Sequence, residues 1–161
     1  MSTLQLPVQK IKATSLSPRK LIIYSKPKVG KTSALAELPD SLILDLENGT
    51  DFLDAVKIKV NNLTELREAG EAILAAGKPY KYLIVDTVTK LEDMCGELAC
   101  KLYKNTPMGK SFAGTNVLTL PNGAGYLYLR EAVISVTTYL ETLADVIIYL
   151  GHIKLKSIEK A

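Results

Sequence analysis

The chain has 161 residues, of which 47% are hydrophobic and 23% are charged, and its formal net charge is +3. This length and composition predict one globular domain and exclude a disordered chain. No run of about 18 apolar residues occurs, so we expect neither a membrane-spanning helix nor a membrane partner. The slight basic excess permits contact with nucleic acid but does not by itself indicate it.

Residues 1–19 are predicted to form an N-terminal arm or an edge strand. The main domain is predicted at residues 20–161. The first twelve residues lack the continuous apolar stretch of a secretory signal. Cys95 and Cys100 fall in one predicted helix, and His152 is the single histidine, so no zinc site can be assembled. Reduced thiols and a cytoplasmic location are therefore expected.

The first predicted strand, residues 20–25, leads into the segment Ser25-Lys26-Pro27-Lys28-Val29-Gly30-Lys31-Thr32. It matches the phosphate-binding pattern G-x-x-x-x-G-K-[ST] except that Ser25 replaces the first glycine. A helix is predicted at residues 31–38, ending before Pro39. The order strand, loop, helix predicts a nucleotide-binding site formed by Ser25, Lys26, Pro27, Lys28, Val29, Gly30, Lys31, Thr32 and Ser33.

Each residue type in this loop suits the binding of a nucleoside triphosphate such as ATP. Backbone N–H groups of the loop can surround phosphate oxygens, and Gly30 lets the backbone approach them closely. Lys31 supplies a positive charge to the β- and γ-phosphates, and the hydroxyl of Thr32 is a hard oxygen ligand for Mg²⁺. Ser25 is expected to cost energy if its position requires a positive φ, which would shift the start of the loop.

Acidic residues follow the next two predicted strands, at residues 41–46 and 81–86. Asp86 is predicted to approach Mg²⁺ through a water molecule, although it could instead cap the following helix. Residues two apart on a strand share a face, so Asp45 and Glu47 are expected to project together. Glu47 could orient and deprotonate an attacking water, or it could be a solvated acid beside a turn.

The remaining elements alternate between helix and strand. The segment at residues 105–125, rich in glycine and proline, is predicted to be a long loop of the kind that is functional or mobile. Alternating strands and helices predict an α/β fold of three layers, with a mostly parallel sheet covered on both faces. Helices are expected near residues 66–76, 91–102 and 129–143, and a fourth strand at 145–150.

The fourth strand runs into Gly151-His152-Ile153-Lys154-Leu155-Lys156. The carboxyl ends of parallel strands meet at the ligand-binding edge, so His152 could contact the γ-phosphate and either lysine could add charge. The alternatives are a structural histidine and solvated lysines. Folds with a phosphate loop usually carry a further strand beyond the first, so we expect either a truncated core or one completed by another segment.

These motifs, taken in order, resemble the RecA-like ATPases. The order is a phosphate loop, then Asp-x-Glu, then a hydrophobic strand ending in Asp-Thr, then a strand ending in His-x-Lys. The similarity covers about residues 20–156, and it is strongest to single-domain, phage-encoded proteins of recombination and single-strand annealing. It implies an ATP- and Mg²⁺-dependent homo-oligomer, a filament or a ring, that acts on single-stranded DNA in the host cytoplasm. A single-strand DNA-binding protein is a further implied partner.

The resemblance also implies residue roles. Glu47 corresponds to the catalytic glutamate, Asp86 to the Mg²⁺-associated aspartate and His152 to the γ-phosphate sensor, while Lys31 contributes to catalysis from the phosphate loop. Further residues are implied to contact a neighbouring subunit's nucleotide or DNA: Lys154, Lys156, Gly123, Gly125 and Tyr126.

Three alternatives remain open from the residues alone. A small kinase is disfavoured because only three arginines occur, whereas kinases clamp mobile phosphates with several. A GTPase is disfavoured because no N-K-x-D occurs and no D-x-x-G lies at the end of the third predicted strand. A nucleotide-gated DNA-binding module without efficient turnover remains possible, in which Tyr126 and Tyr128 could stack on bases. Both tyrosines could equally pack the last helix onto the sheet.

Overall fold

The computed structural model describes residues 8–14 and 18–153. Within them, five strands form one parallel sheet in the order β1-β5-β4-β2-β3, which confirms the predicted α/β fold. The strands are β1 at Lys20–Ser25, β2 at Ser41–Asp45, β3 at Lys57–Lys59, β4 at Tyr82–Asp86 and β5 at Val146–His152.

Helices connect the consecutive parallel strands, except that β2 and β3 are joined by a segment without a helix. The helices are α1 at Lys31–Ala36, α2 at Leu63–Ala75, α3 at Val88–Met94, α4 at Gly96–Lys104 and α5 at Gly125–Leu140. The single helix predicted near residues 91–102 is divided into α3 and α4 at Cys95. In the part of the chain that the structure describes, no helix combines the length and apolar character needed to cross a membrane.

Apolar side chains alternate between the two faces of the sheet. On one face, Leu42, Leu83 and Ile147 pack under α2, α3, α4 and α5. On the other face, Ile43 and Ile84 pack against side chains of α1 and its end. Burial of each such side chain contributes about 1.5–3 kcal/mol, so both layers of helices are held to the sheet mainly by apolar contact.

The two edges of the sheet differ. At β3 the edge is short and charged, since Lys59 pairs with Asp51 at 2.6 Å. At β1 the edge is apolar, with Ile22 52% and Tyr24 60% exposed. The further strand expected beyond β1 is not supplied by residues 8–14 or 18–153. The described part of the predicted N-terminal arm, residues 8–14 and 18–19, contains neither helix nor strand.

The segment at residues 105–124 is a long and largely exposed loop, as predicted, but it is anchored to the domain at Gly109, Phe112 and Val117. It contains two short 3₁₀ turns, Val117–Thr119 and Pro121–Gly123. Val117 is only 1% exposed, and the ring of Phe112 meets Tyr103 edge to face at 5.2 Å. The sequence did not reveal this packing because glycine and proline mark turns but do not indicate which intervening side chains are buried.

Candidate nucleotide-binding site

The phosphate loop joins the end of β1 to the start of α1. Positive φ values occur at Lys28, 62°, and at Gly30, 85°, but Ser25 is the last residue of the extended strand. The expected conformational cost of Ser25 was therefore wrong. Glycine is favoured at position 30 because of the positive φ and not because of lack of space, since an added Cβ would meet no atom within 4 Å.

Lys31 points back across the loop that precedes it. Its ammonium donates to the Ser25 hydroxyl at 2.7 Å and to the Lys26 carbonyl at 3.2 Å. The Ser25 hydroxyl in turn donates to the Lys26 carbonyl at 2.9 Å. Ser25 thus supplies an oxygen that glycine lacks, and this oxygen fixes the position of the lysine charge.

Thr32 and Asp86 meet between the phosphate loop and the centre of the sheet. The Thr32 hydroxyl donates to Asp86 Oδ2 at 2.6 Å. Burial raises the pKa of Asp86, the Thr32 hydrogen bond opposes that shift, and the nearby charges of Glu47 and Asp45 raise the pKa further. The carboxylate is therefore a buried negative charge that a cation would stabilise.

These two residues fit Mg²⁺ by their chemistry. A hydroxyl and a carboxylate are hard oxygen donors, and Mg²⁺ in nucleotide sites takes only one or two protein ligands besides phosphates and water. Among residues 8–14 and 18–153, no three His, Cys, Asp or Glu side chains are arranged to hold a metal on their own. The donor set suits a cation that binds together with a nucleotide.

Glu47 lies two residues beyond the end of β2, beside the end of β4. The Thr87 hydroxyl donates to Glu47 Oε1 at 2.5 Å. Thr87 is fully buried and also caps α3, because its hydroxyl accepts from the backbone N–H of Lys90 at 3.4 Å. Thr87 was not predicted as a functional residue, although a threonine between a strand and a helix is a recognisable N-cap.

The carboxylate of Asp45 does not share the partners of the Glu47 carboxylate. Its carboxylate is 1% exposed and accepts from the backbone N–H of Gly49 and from the backbone and hydroxyl of Thr50. The expectation that both acids project together was wrong, because β2 ends at Asp45 and the chain then turns, with φ 56° at Asn48. Asp45 holds this turn and thereby the start of the segment that carries Glu47.

His152 lies between Lys31 and Glu47. Its Nδ1 is 3.4 Å from the Lys31 ammonium, and its Nε2 is 3.5 Å from Glu47 Oε2. The lysine ammonium can only donate, so Nδ1 accepts and the ring proton is assigned to Nε2, facing the carboxylate. The structure thus places Lys31, His152, Glu47, Thr32 and Asp86 along one continuous edge.

The residues that were predicted to contact DNA differ in their exposure. Gly125 is buried against Val117, and Tyr128 packs with Tyr103 at 5.0 Å between ring centroids, so both have packing roles. Tyr126 is 65% exposed. Gly123 is exposed beside it, with φ 70°.

Tyr126 opens onto a cleft of about 470 Å³, which we call the α3–α5 cleft. It is lined by Val88, Thr89, Glu92, Tyr126, Leu129, Arg130, Val133 and Ile134. Val88 follows Thr87 directly, so the cleft begins beside the Glu47 contact. Lys154 and Lys156 lie outside the described residues.

A second cleft, of about 890 Å³, lies between α2, α4 and α5. It contains none of the residues predicted to bind nucleotide, although it is the larger of the two. The candidate nucleotide site lies instead at the strand ends, where residues 26–30 of the phosphate loop are exposed. Phosphate loops of this kind bind anions in a concavity formed by backbone N–H groups.

Comparison with known proteins agrees with this geometry. A family model described as "AAA domain" matches residues 17–161, which is most of the chain. No curated protein matches the chain.

Proposed function

Because the chain belongs to the AAA domain family and its polar groups meet at one edge of the sheet, we propose that it is an Mg²⁺-dependent ATPase. The observation that carries this proposal is the contact series Lys31–His152–Glu47 beside the Thr32–Asp86 pair. A binding loop alone would not need a carboxylate within reach of the histidine and the lysine.

Nucleotide binding is assigned to residues 25–33. The backbone N–H groups after Ser25 would contact the phosphates, with Lys31 adding a charge to the β- and γ-phosphates. Thr32 and Asp86 would hold Mg²⁺, Asp86 through water. When bound, this ion supplies charge neutralisation to the phosphate oxygens.

Hydrolysis is assigned to Glu47, Lys31 and His152. Glu47 would accept a proton from the attacking water, since its carboxylate is 40% exposed and reachable by solvent. His152 presents its ring between that carboxylate and the lysine, which supports its assignment as the residue that contacts the γ-phosphate. Lys31 would stabilise the charge that develops on the phosphate as it is transferred.

We further propose that the protein acts on single-stranded DNA as a RecA-like homo-oligomer in phage recombination or annealing. The α3–α5 cleft supports this, because it combines the exposed ring of Tyr126 with the cation of Arg130 next to the ATPase site. Gly123 lies at its rim. Lys154 and Lys156 are proposed to reach a neighbouring subunit's nucleotide, and a single-strand DNA-binding protein to be a partner.

The test is ATP turnover with and without single-stranded DNA at one fixed low salt concentration, since such binding weakens steeply with salt. We expect turnover that DNA stimulates, and the stimulation should fall in a Tyr126→Ala variant. Turnover that is unaffected by DNA would leave the ATPase proposal standing and overturn the proposal that the protein acts on single-stranded DNA. ATP binding without turnover would favour the alternative of a nucleotide-gated binding module, and phosphate transfer to a nucleoside monophosphate would favour a small kinase.

A further inference from the structure

Thr87 is a buried polar residue whose hydrogen bonds are both accounted for. Its side chain is 0% exposed, at the junction of β4 and α3. A threonine hydroxyl has one proton, and that proton is given to Glu47 Oε1 at 2.5 Å. The oxygen accepts from the Lys90 backbone N–H at 3.4 Å, which orients the hydroxyl from the opposite side.

Glu47 needs such a partner because it lies outside regular structure. β2 ends at Asp45, and the chain turns at Asn48, so neither a strand nor a helix restrains the Glu47 side chain. Within the described residues, its carboxylate contacts the Thr87 hydroxyl at 2.5 Å and the His152 ring at 3.5 Å. Of the two contacts, the one with Thr87 is the shorter and comes from a buried, fixed group.

We propose that Thr87 is a positioning residue for Glu47. This inference rests on the proposed ATPase function. By holding one carboxylate oxygen, Thr87 fixes the rotamer of Glu47 before water and nucleotide are bound, and leaves Oε2 to face His152. Catalysis depends on such orientation, since a misplacement of about 1 Å can cost on the order of a hundredfold in rate.

The contact also connects the catalytic carboxylate to the α3–α5 cleft. Thr87 is the N-cap of α3, and the next residues, Val88 and Thr89, line the cleft. A shift of α3 would therefore move the hydroxyl that holds Glu47.

The test compares two substitutions that differ in the hydroxyl. Thr87→Val keeps the shape but removes the hydroxyl, and we expect kcat to fall by about tenfold or more with little change in the ATP dissociation constant. Thr87→Ser keeps the hydroxyl and should retain most of the rate. Asn62→Ala is the matched control for capping, because Asn62 caps α2 through Glu65 without contacting Glu47. That variant should leave kcat unchanged.

A double-mutant cycle separates positioning from a general structural effect. If Thr87 acts through Glu47, Thr87→Val should slow a Glu47→Gln enzyme no further. An unchanged kcat in Thr87→Val, a second full loss in the Glu47→Gln background, or an equal loss in Asn62→Ala would each overturn this inference. Should Thr87→Val not fold, Thr87→Ala in the same cycle gives the same decision. A wild-type chain without any turnover would instead overturn the proposed function and this inference together.

Discussion

Glu47 is the residue on which the proposed hydrolysis depends most directly. Its contacts with Thr87 and His152 place a carboxylate beside the histidine that contacts the lysine of the phosphate loop, without burying that carboxylate. The buried carboxylate of Asp86 suits a different role, because it pairs with Thr32 at the proposed Mg²⁺ site. The two acids thus occupy environments that suit different roles.

Glu47→Gln should keep nucleotide binding and slow hydrolysis by about a hundredfold or more, since the amide cannot accept the proton of water. Steady-state turnover and equilibrium binding of ATP check the two parts separately. Glu68→Gln, an exposed substitution on α2, is the control and should behave as the wild type. Unchanged turnover in Glu47→Gln would make Glu47 a solvated acid beside the turn.

Asp86 should make stability depend on pH in the absence of metal. Burial raises its pKa above the ordinary value of 3.8, so the folded protein holds this proton more tightly than the unfolded chain. Stability is therefore lost as pH rises through the interval from 3.8 to the raised pKa, and the whole cost is present at neutral pH.

Asp86→Asn should accordingly raise Tm near neutral pH without Mg²⁺, and the gain should shrink near pH 4, about the ordinary carboxyl pKa. The same variant should lose most of the stabilisation that Mg·ATP gives the wild type. Thermal unfolding at both pH values checks this, with the exposed Asp54→Asn as control. A lower Tm for Asp86→Asn near neutral pH would contradict the account.

Among the elements, the positions of four of the five described strands were predictable from short apolar runs in the sequence. The predicted strands at residues 20–25, 41–46, 81–86 and 145–150 correspond to β1, β2, β4 and β5. β3 was missed because it has three residues, although Val56-Lys57-Ile58-Lys59-Val60 alternates with the period of a strand.

The contacts of the site were less predictable than its position. Strand ends indicated that Lys31, Asp86 and His152 would share an edge, because parallel strands end together. The separation of Asp45 from Glu47 depends on a turn with positive φ at Asn48, and the contact of Glu47 with Thr87 joins residues forty positions apart. Neither leaves a periodic signal in the sequence.

Gly125→Ala tests the packing of the segment at residues 105–124. A Cβ at Gly125 would lie 1.8 Å from the carbonyl oxygen of Val117, so the backbone must separate there. We expect a loss of about 2 kcal/mol or more in unfolding free energy, as in other overpacked sites. Gly96→Ala is the matched control, since a Cβ there meets nothing within 4 Å and alanine favours helix. Equal stability of the two variants in denaturant titration would contradict the close contact between Gly125 and Val117.

At the scale of the whole molecule, the cysteines report on the integrity of the core. Cys95 is 0% and Cys100 6% exposed, and burial raises the pKa of the Cys95 thiol to about 11. At a pH of about 8, we expect both thiols to resist a thiol reagent in the native protein and to react only on unfolding. Mg·ATP should slow the reaction further because it binds the folded state. Rapid labelling of the native protein would contradict the described core.

The apolar core and the polar groups of the candidate site lie in different parts of the molecule. The core lies between the sheet and its helices, and the polar groups lie at the carboxyl ends of β1, β4 and β5 and just beyond β2. The α3–α5 cleft adjoins the same edge, so nucleotide and a second ligand could influence each other through α3.

The most direct measurement is Mg²⁺-dependent ATP turnover by the wild-type chain and by Lys31→Ala, with Lys101→Ala, exposed on α4, as the control. The proposed ATPase function predicts turnover by the wild type and by Lys101→Ala, and a loss of about a hundredfold or more in Lys31→Ala, since the phosphate charge loses its partner. Equal turnover by all three proteins, or none by the wild type in the presence of Mg²⁺, would contradict it.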